Sequence, residues 1–169
     1  RNLRHIKQET RASITIDAQY VDLPADWLET KQITVPGVGG TRKLDLVSLD
    51  DLAETIEAEA GTPGEPRYYA FNAEQIEVAP IPDESYTGTI QYIAQVPALS
   101  DSQTTNWLLT RYPDVYLYGS LVQSAPYLDE DQRTATWAAL YQSALDGANR
   151  ESNRARWSGT GLKMRTRGT

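Results

Sequence analysis

The sequence predicts an α+β fold: a β-rich region of about six short strands, then a C-terminal helical hairpin or bundle, then an extended C-terminal tail. Three observations carry this. Before Pro97, β-branched and alternating segments are cut by Gly and Pro. After Pro97, apolar residues recur at helical spacing. From Arg154 the chain is basic, contains Gly159, Gly161 and Gly168, and carries no helical pattern. The 169 residues therefore divide into the end of an N-terminal helix at 1–11, a β-rich region at 12–98 with one helix at 48–60, a helical pair at 99–153 and a basic tail at 154–169.

Each element has its own signal. Arg1 to Lys7 reads as the end of a helix. Ala12 to Tyr20 alternates partly and is rich in β-branched residues, so it predicts a strand. Pro24 and Asp26 suit the first turn of a helix, so a single helical turn is expected through Leu28. Lys31 to Pro36 and Lys43 to Val47 predict a hairpin across Gly37-Val38-Gly39-Gly40. Ser48-Leu49-Asp50-Asp51 resembles a capping box with Asp in place of Glu. Behind it, Leu49, Leu52, Ala53, Ile56 and Ala60 share a helical face, and Gly61 ends it. Arg67 to Asn72, Gln75 to Ala79 and Gly88 to Gln95 predict three further strands.

Asn106 to Leu109 predicts one helical turn, and Pro113 opens a helix over about 114–125. Asp129, Glu130 and Asp131 sit where the next helix begins, at the end its dipole makes favourable to acids. Trp137, Leu140, Tyr141, Ala144, Leu145 and Ala148 form one face of that helix, which is expected to fade near Asn153.

Composition narrows the function. The chain has no cysteine, which excludes disulfides, thiolate metal sites and a Cys nucleophile. No apolar run approaches the roughly 20 residues of a membrane span. Ten tyrosines and four tryptophans stand against one phenylalanine, a choice that suits half-buried sites and interfaces. Charge is split. Six Lys or Arg against one acid give +5 over 150–169, and the total of −7 leaves −12 for residues 1–149. An acidic body repels nucleic acid, whose binding needs Lys and Arg. A basic tail suits an acidic protein groove first and nucleic acid second.

No chemistry-bearing constellation stands out. His5 is the single histidine and is expected to be solvated. The Gly37–Gly40 segment lacks the Gly-Lys-Ser/Thr of a phosphate loop and leads into a strand, not a helix. The acids at 50–51, 83–84 and 129–131 lie at helix starts or in loops, where they have local structural reasons. No catalytic, cofactor-binding or metal-binding residue is assigned, no cofactor is expected, and the chain is read as a non-enzyme.

Packing and partner signals are stronger. One Trp and three Tyr cluster between Asn106 and Gly119, around Pro113. A Gly inside a helix costs about 1 kcal/mol against Ala, so Gly119 points to close approach of another helix. The expected packing partner carries Trp137 and Tyr141. The tail is expected to order on a partner, with Trp157, Leu162 and Met164 as apolar anchors and Arg154, Arg156, Lys163, Arg165 and Arg167 supplying charge.

Asn106-Trp107-Leu108-Leu109-Thr110-Arg111-Tyr112-Pro113-Asp114-Val115-Tyr116-Leu117-Tyr118-Gly119, followed by Ala125-Pro126-Tyr127-Leu128, resembles the adaptor (head–tail connector) proteins of tailed bacteriophages. Val21-Asp22-Leu23-Pro24-Ala25-Asp26-Trp27 carries the same resemblance. It implies a helical bundle in which the β-rich region is an insertion. It implies a ring, commonly of twelve copies, that links the portal protein to the tail nozzle or tube proteins at the head–tail junction of the virion. Such a ring lines part of the DNA channel and lets DNA pass without sequence-specific binding, with no membrane involved. In that setting the tail residues from Arg154 to Arg167 named above are expected to meet the portal. Tyr112, Tyr116, Gly119, Trp137 and Tyr141 are expected to pack the helices and the ring. A β-sandwich module that binds a carbohydrate or a host receptor is the alternative reading.

Overall fold

The computed structural model describes residues 3–37, 39–127 and 133–157. The chain forms two compact units. One is Gln8–Val96; the other joins Arg1–Lys7 to Pro97–Thr169.

The first unit is a two-sheet sandwich. One sheet has the order β1 (Glu9–Ile16), β8 (Tyr86–Ala94), β3 (Trp27–Gly37), β4 (Gly40–Lys43), all antiparallel. The other has the order β2 (Tyr20–Asp22), β7 (Gln75–Ala79), β6 (Tyr68–Asn72), β5 (Asp45–Leu46), with β5 parallel to β6. Alternation places the core. On β1, Ile14 and Ile16 are buried while Ser13 and Thr15 are exposed, because successive side chains point to opposite faces. Ile90 and Tyr92 of β8 and Ile33 and Val35 of β3 belong to the same core. Val21, Tyr69, Ile76 and Val78 of the second sheet close the same core from the other side.

The single helix of this unit, α1 (Leu49–Ala58), starts where the side-chain cap satisfies an otherwise unpaired amide. Ser48 Oγ accepts from the Asp51 N–H at 3.1 Å and donates to Asp51 Oδ2 at 2.7 Å. The helix buries Leu52 completely against Ala70 and Ala79. Burial of such a leucine stabilises by about 1.5–3 kcal/mol.

The expected fold class needs correction. The strands are not a small insertion in a C-terminal helical bundle. They form two four-stranded sheets within a unit that takes up just over half of the chain and holds the main core. Among the described residues eight strands replace the expected six, because long-range pairing makes strand where local signals are weak. Glu9 to Arg11, read as the end of a helix, pair with Gln91 to Ile93 and belong to β1. The expected helical turn at 24–28 is a tight turn in which the Trp27 N–H meets the Pro24 carbonyl at 2.9 Å. Trp27 then begins β3, where its ring packs on Phe71 at 5.4 Å. The extended tail also changes. The last helix runs through Trp157, so residues 154–157 are helical, and Leu162, Lys163, Met164, Arg165 and Arg167 lie outside the described residues.

Candidate functional site

The second unit carries the Trp- and Tyr-rich segment from Asn106 to Gly119. Its helices are α2 (Trp107–Arg111), α3 (Pro113–Ser124) and α4 (Thr134–Trp157). Asn106 fixes the start of α2. Its Oδ1 caps the Leu109 N–H at 2.8 Å, while its Nδ2 donates to the Pro97 carbonyl and to Tyr116 Oη, each at 2.7 Å. One buried amide thus joins a loop and two helices, with both of its polar ends satisfied. Pro113 takes the first position of α3, where its missing N–H costs nothing.

α4 turns Leu145, Ala148 and Ser152 inward, a spacing of three and four residues that marks one helical face. α3 and α4 pack together at Gly119. A Cβ built there would lie 3.2 Å from Tyr141 Cε2, so the glycine admits the tyrosine ring. The close helix approach expected at Gly119 is therefore found, and its partner is the helix carrying Tyr141.

His5 is the main departure from expectation. It is not solvated but 4% exposed. Its ring stacks on Trp107 with centroids 5.0 Å apart. Nδ1 accepts the Lys7 N–H at 3.1 Å. Nε2 lies 3.2 Å from Tyr112 Oη. The Tyr112 hydroxyl donates to Glu151 Oε2 at 2.7 Å, and Arg111 pairs with Glu151 Oε1. The proton positions follow. A backbone N–H only donates, so Nδ1 is the unprotonated nitrogen and Nε2 carries the hydrogen of the neutral ring. Tyr112 spends its own proton on the carboxylate and accepts from Nε2.

The electrostatics agree. Burial, and then the Arg111 charge, hold the His5 pKa below its ordinary value. Hydrogen bonds from Tyr112 and Arg111 lower that of Glu151. Burial, and then the bond to Glu151, raise that of Tyr112. Two further bonds seat the N-terminal segment on α4: the Arg4 N–H on Asn149 Oδ1 at 3.0 Å, and the Ile6 N–H on the fully buried Ser152 Oγ at 2.8 Å. The arrangement is a clasp. Both imidazole nitrogens are committed and the ring is covered, so it offers no open face to a substrate. Among the described residues, no group of three His, Cys, Asp or Glu is placed to hold a metal ion.

The other expected packing residues are engaged within the chain. Tyr112 belongs to the clasp, Tyr116 accepts from Asn106, and the Arg133 guanidinium lies 5.2 Å from the Trp137 ring centre. Of the expected tail contacts, Arg154, Arg156 and Trp157 stand exposed on the last turn of α4, with Trp157 63% exposed. Cations there also complement the negative end of the helix dipole.

Sequence reasoning missed an open groove of about 540 Å³ along α3 and α4, lined by Asp114, Tyr118, Leu140, Ala144 and Gly147 among others. Leu117 and Leu140 are exposed on these two helices. Leu140, placed by its spacing on the same helical face as Leu145 and Ala148, is exposed where they are buried, because spacing assigns a residue to a face without saying what covers it.

The family model described as SU10 adaptor protein matches residues 1–165, nearly the whole chain and both of its units. No curated protein matches the chain.

Proposed function

The chain belongs to the SU10 adaptor protein family, and on that premise we propose that it is a ring subunit of the phage head–tail junction, linking the portal to the tail around the DNA channel. The coarser statement follows from the family: this is a phage adaptor, a component of the virion that meets other head or tail proteins. The observation that carries the finer reading is the extent of the match, which takes in the sandwich and the helices together. A non-catalytic role accords with that family and with a histidine buried in a clasp.

The roles divide as follows. Twelve copies form the ring. Tyr112, Tyr116, Gly119, Trp137 and Tyr141 shape the helical hairpin, and the exposed Leu117, Leu140 and the adjoining groove supply the face that a neighbouring copy covers. Arg154, Arg156 and Trp157 meet the portal from the end of α4. The charge of −12 over residues 1–149 lets DNA slide past without sticking.

Native mass spectrometry of the chain mixed with portal protein tests the proposal. A closed oligomer of this chain on the portal is expected. A strict monomer that ignores the portal sinks it. Replacing Arg154 and Arg156 with Glu and Trp157 with Ala is expected to weaken docking at least tenfold, with the circular dichroism unchanged. The sandwich architecture favours one second reading, a module that binds a carbohydrate or host receptor. Specific glycan-array binding by the isolated chain, together with indifference to the portal, would select it.

A further inference from the structure

Four strands end the two sheets, and one of them is unlike the rest. β4 has four residues, β2 three and β5 two, short edges that give a passing strand little to pair with. β1 has eight. It pairs with β8 on one side, and among the described residues no strand pairs with the other. From Thr10 to Ile16 it is rich in β-branched residues, has no proline and carries a single charge, Arg11. A long edge of that kind is a template for strand addition unless a partner covers it.

A groove of about 470 Å³ opens where β1 and β2 lie along the same side of the sandwich. Ile14, Val21 and Leu23 give it an apolar floor, and Asp17 and Asp22 are its charged lining residues, with no Lys or Arg among them. The site therefore asks for an extended segment, apolar on alternate residues and basic between them.

Such a segment is present in this chain. Residues 162–167 read Leu-Lys-Met-Arg-Thr-Arg. In an extended strand, alternation puts Leu162, Met164 and Thr166 on one face and Lys163, Arg165 and Arg167 on the other. We propose that residues 162–167 of a second copy add as a strand to the free edge of β1, with Leu162 and Met164 over the apolar floor and the basic residues near Asp17 and Asp22. Backbone pairing supplies affinity and the alternating pattern supplies register. The inference rests on the ring reading, and it gives the two ends of the tail different tasks: residues 154–157 meet the portal while 162–167 clasp a neighbour.

The absence of cysteine makes the test clean. Ala12→Cys and Met164→Cys chains, whose cysteines share the face of Ile14, are prepared separately, mixed, assembled with portal protein and mildly oxidised. The mixed Ala12→Cys/Met164→Cys disulfide is expected to exceed both homodimers at least fivefold. Reversing Asp17 and Asp22 to Lys is expected to lower that yield several-fold. Placing Lys163→Glu and Arg165→Glu in the Met164→Cys chain is expected to restore it. Rings that form without an excess of the mixed disulfide overturn the inference and leave the ring reading standing. A chain carrying both cysteines that closes on itself as a monomer overturns it in favour of its own tail. Failure to oligomerise under any of these conditions overturns the ring reading, and this inference with it.

Discussion

Replacing Gly88 with Ala is expected to destabilise the sandwich, and the same change at Gly147 is expected to stabilise the helical unit. Gly88 lies in β8, between β1 and β3, opposite Ile14. A Cβ there would sit 2.8 Å from the Thr34 carbonyl oxygen, 3.1 Å from Val35 Cγ1 and 3.4 Å from Ile14 Cγ2. The nearest atom is backbone, held in a paired strand, so no side-chain rotation relieves the contact. Overpacking of this kind costs about 1–3 kcal/mol. Removing a glycine from a strand returns about 0.5–1 kcal/mol of chain entropy. The midpoints leave a loss of about 1 kcal/mol, which for a unit of this size lowers the melting temperature by roughly 4–8 °C.

At Gly147 nothing lies within 4 Å of the added methyl and the backbone is helical, so Ala is expected to gain about 0.5–1 kcal/mol. Differential scanning calorimetry of the isolated chain, with far-ultraviolet circular dichroism to assign the transitions to sheet or helix, measures both. A Gly88→Ala chain that melts at or above the wild-type temperature refutes the close-packing argument. A destabilised Gly147→Ala chain refutes the reading of open space at that position.

Ser152→Ala leaves the Ile6 N–H without its acceptor and is expected to cost about 1–3 kcal/mol; faster hydrogen exchange at the Ile6 amide checks it. Acid is expected to release the clasp. The neutral form of His5 is favoured by folding, so its contribution is complete above the ordinary pKa of 6.5 and is lost as pH falls through the lower folded value. Imidazole chemical shifts followed by NMR, alongside the Ile6 amide, test this; a His5 that titrates at or above 6.5 rejects it. At the alkaline end, the hydrogen bond to Asp83 pushes Tyr86 up to about 12, and burial pushes Tyr92 up to about 12. Raised tyrosine values mean stability that is complete below about 10 and lost between there and about 12. Tyrosinate absorbance during an alkaline melt reads that window, and two tyrosines that resist ionisation until the sheets unfold are expected.

What the sequence made legible was decided by how local each signal is. The Ser48 cap, the Pro113 helix start and the Gly119 contact depend on a few neighbouring residues, and each appears in the structure where its spacing places it. β1 at Glu9 and β3 at Trp27 depend on pairing with β8, more than fifty residues away in the chain. Their local signals were weak or helical, and cross-strand hydrogen bonds with core burial outweighed them. The two sheets were underestimated for the same reason: a three-residue strand such as β2 has no period to detect, and the expected strand at Lys43 to Val47 divides, Gly40–Lys43 pairing with β3 and Asp45–Leu46 with β6 of the other sheet.

His5 shows the limit most sharply. Nothing around it in the sequence distinguishes a solvated terminal histidine from a buried one, because the groups that bury it come from Trp107, Tyr112 and Glu151. Yet those residues were prominent for another reason: two of them lie in the Tyr/Trp cluster that carried the family resemblance. That cluster is now seen to serve the interior of the helical unit. Asn106 holds Tyr116, Tyr141 fills the space at Gly119, and Tyr112 closes the clasp. A packing motif can therefore mark a family without marking its interface. Of the surfaces proposed for partners, the exposed turn at Trp157 and the long edge of β1 lie outside that cluster, and the groove beside Leu140 takes Asp114 and Tyr118 from it. Substitutions at Asn106, Tyr112 and Gly119 should therefore unfold the unit before they affect assembly, whereas substitutions at Leu117, Leu140 and Trp157 should affect assembly and leave the fold intact.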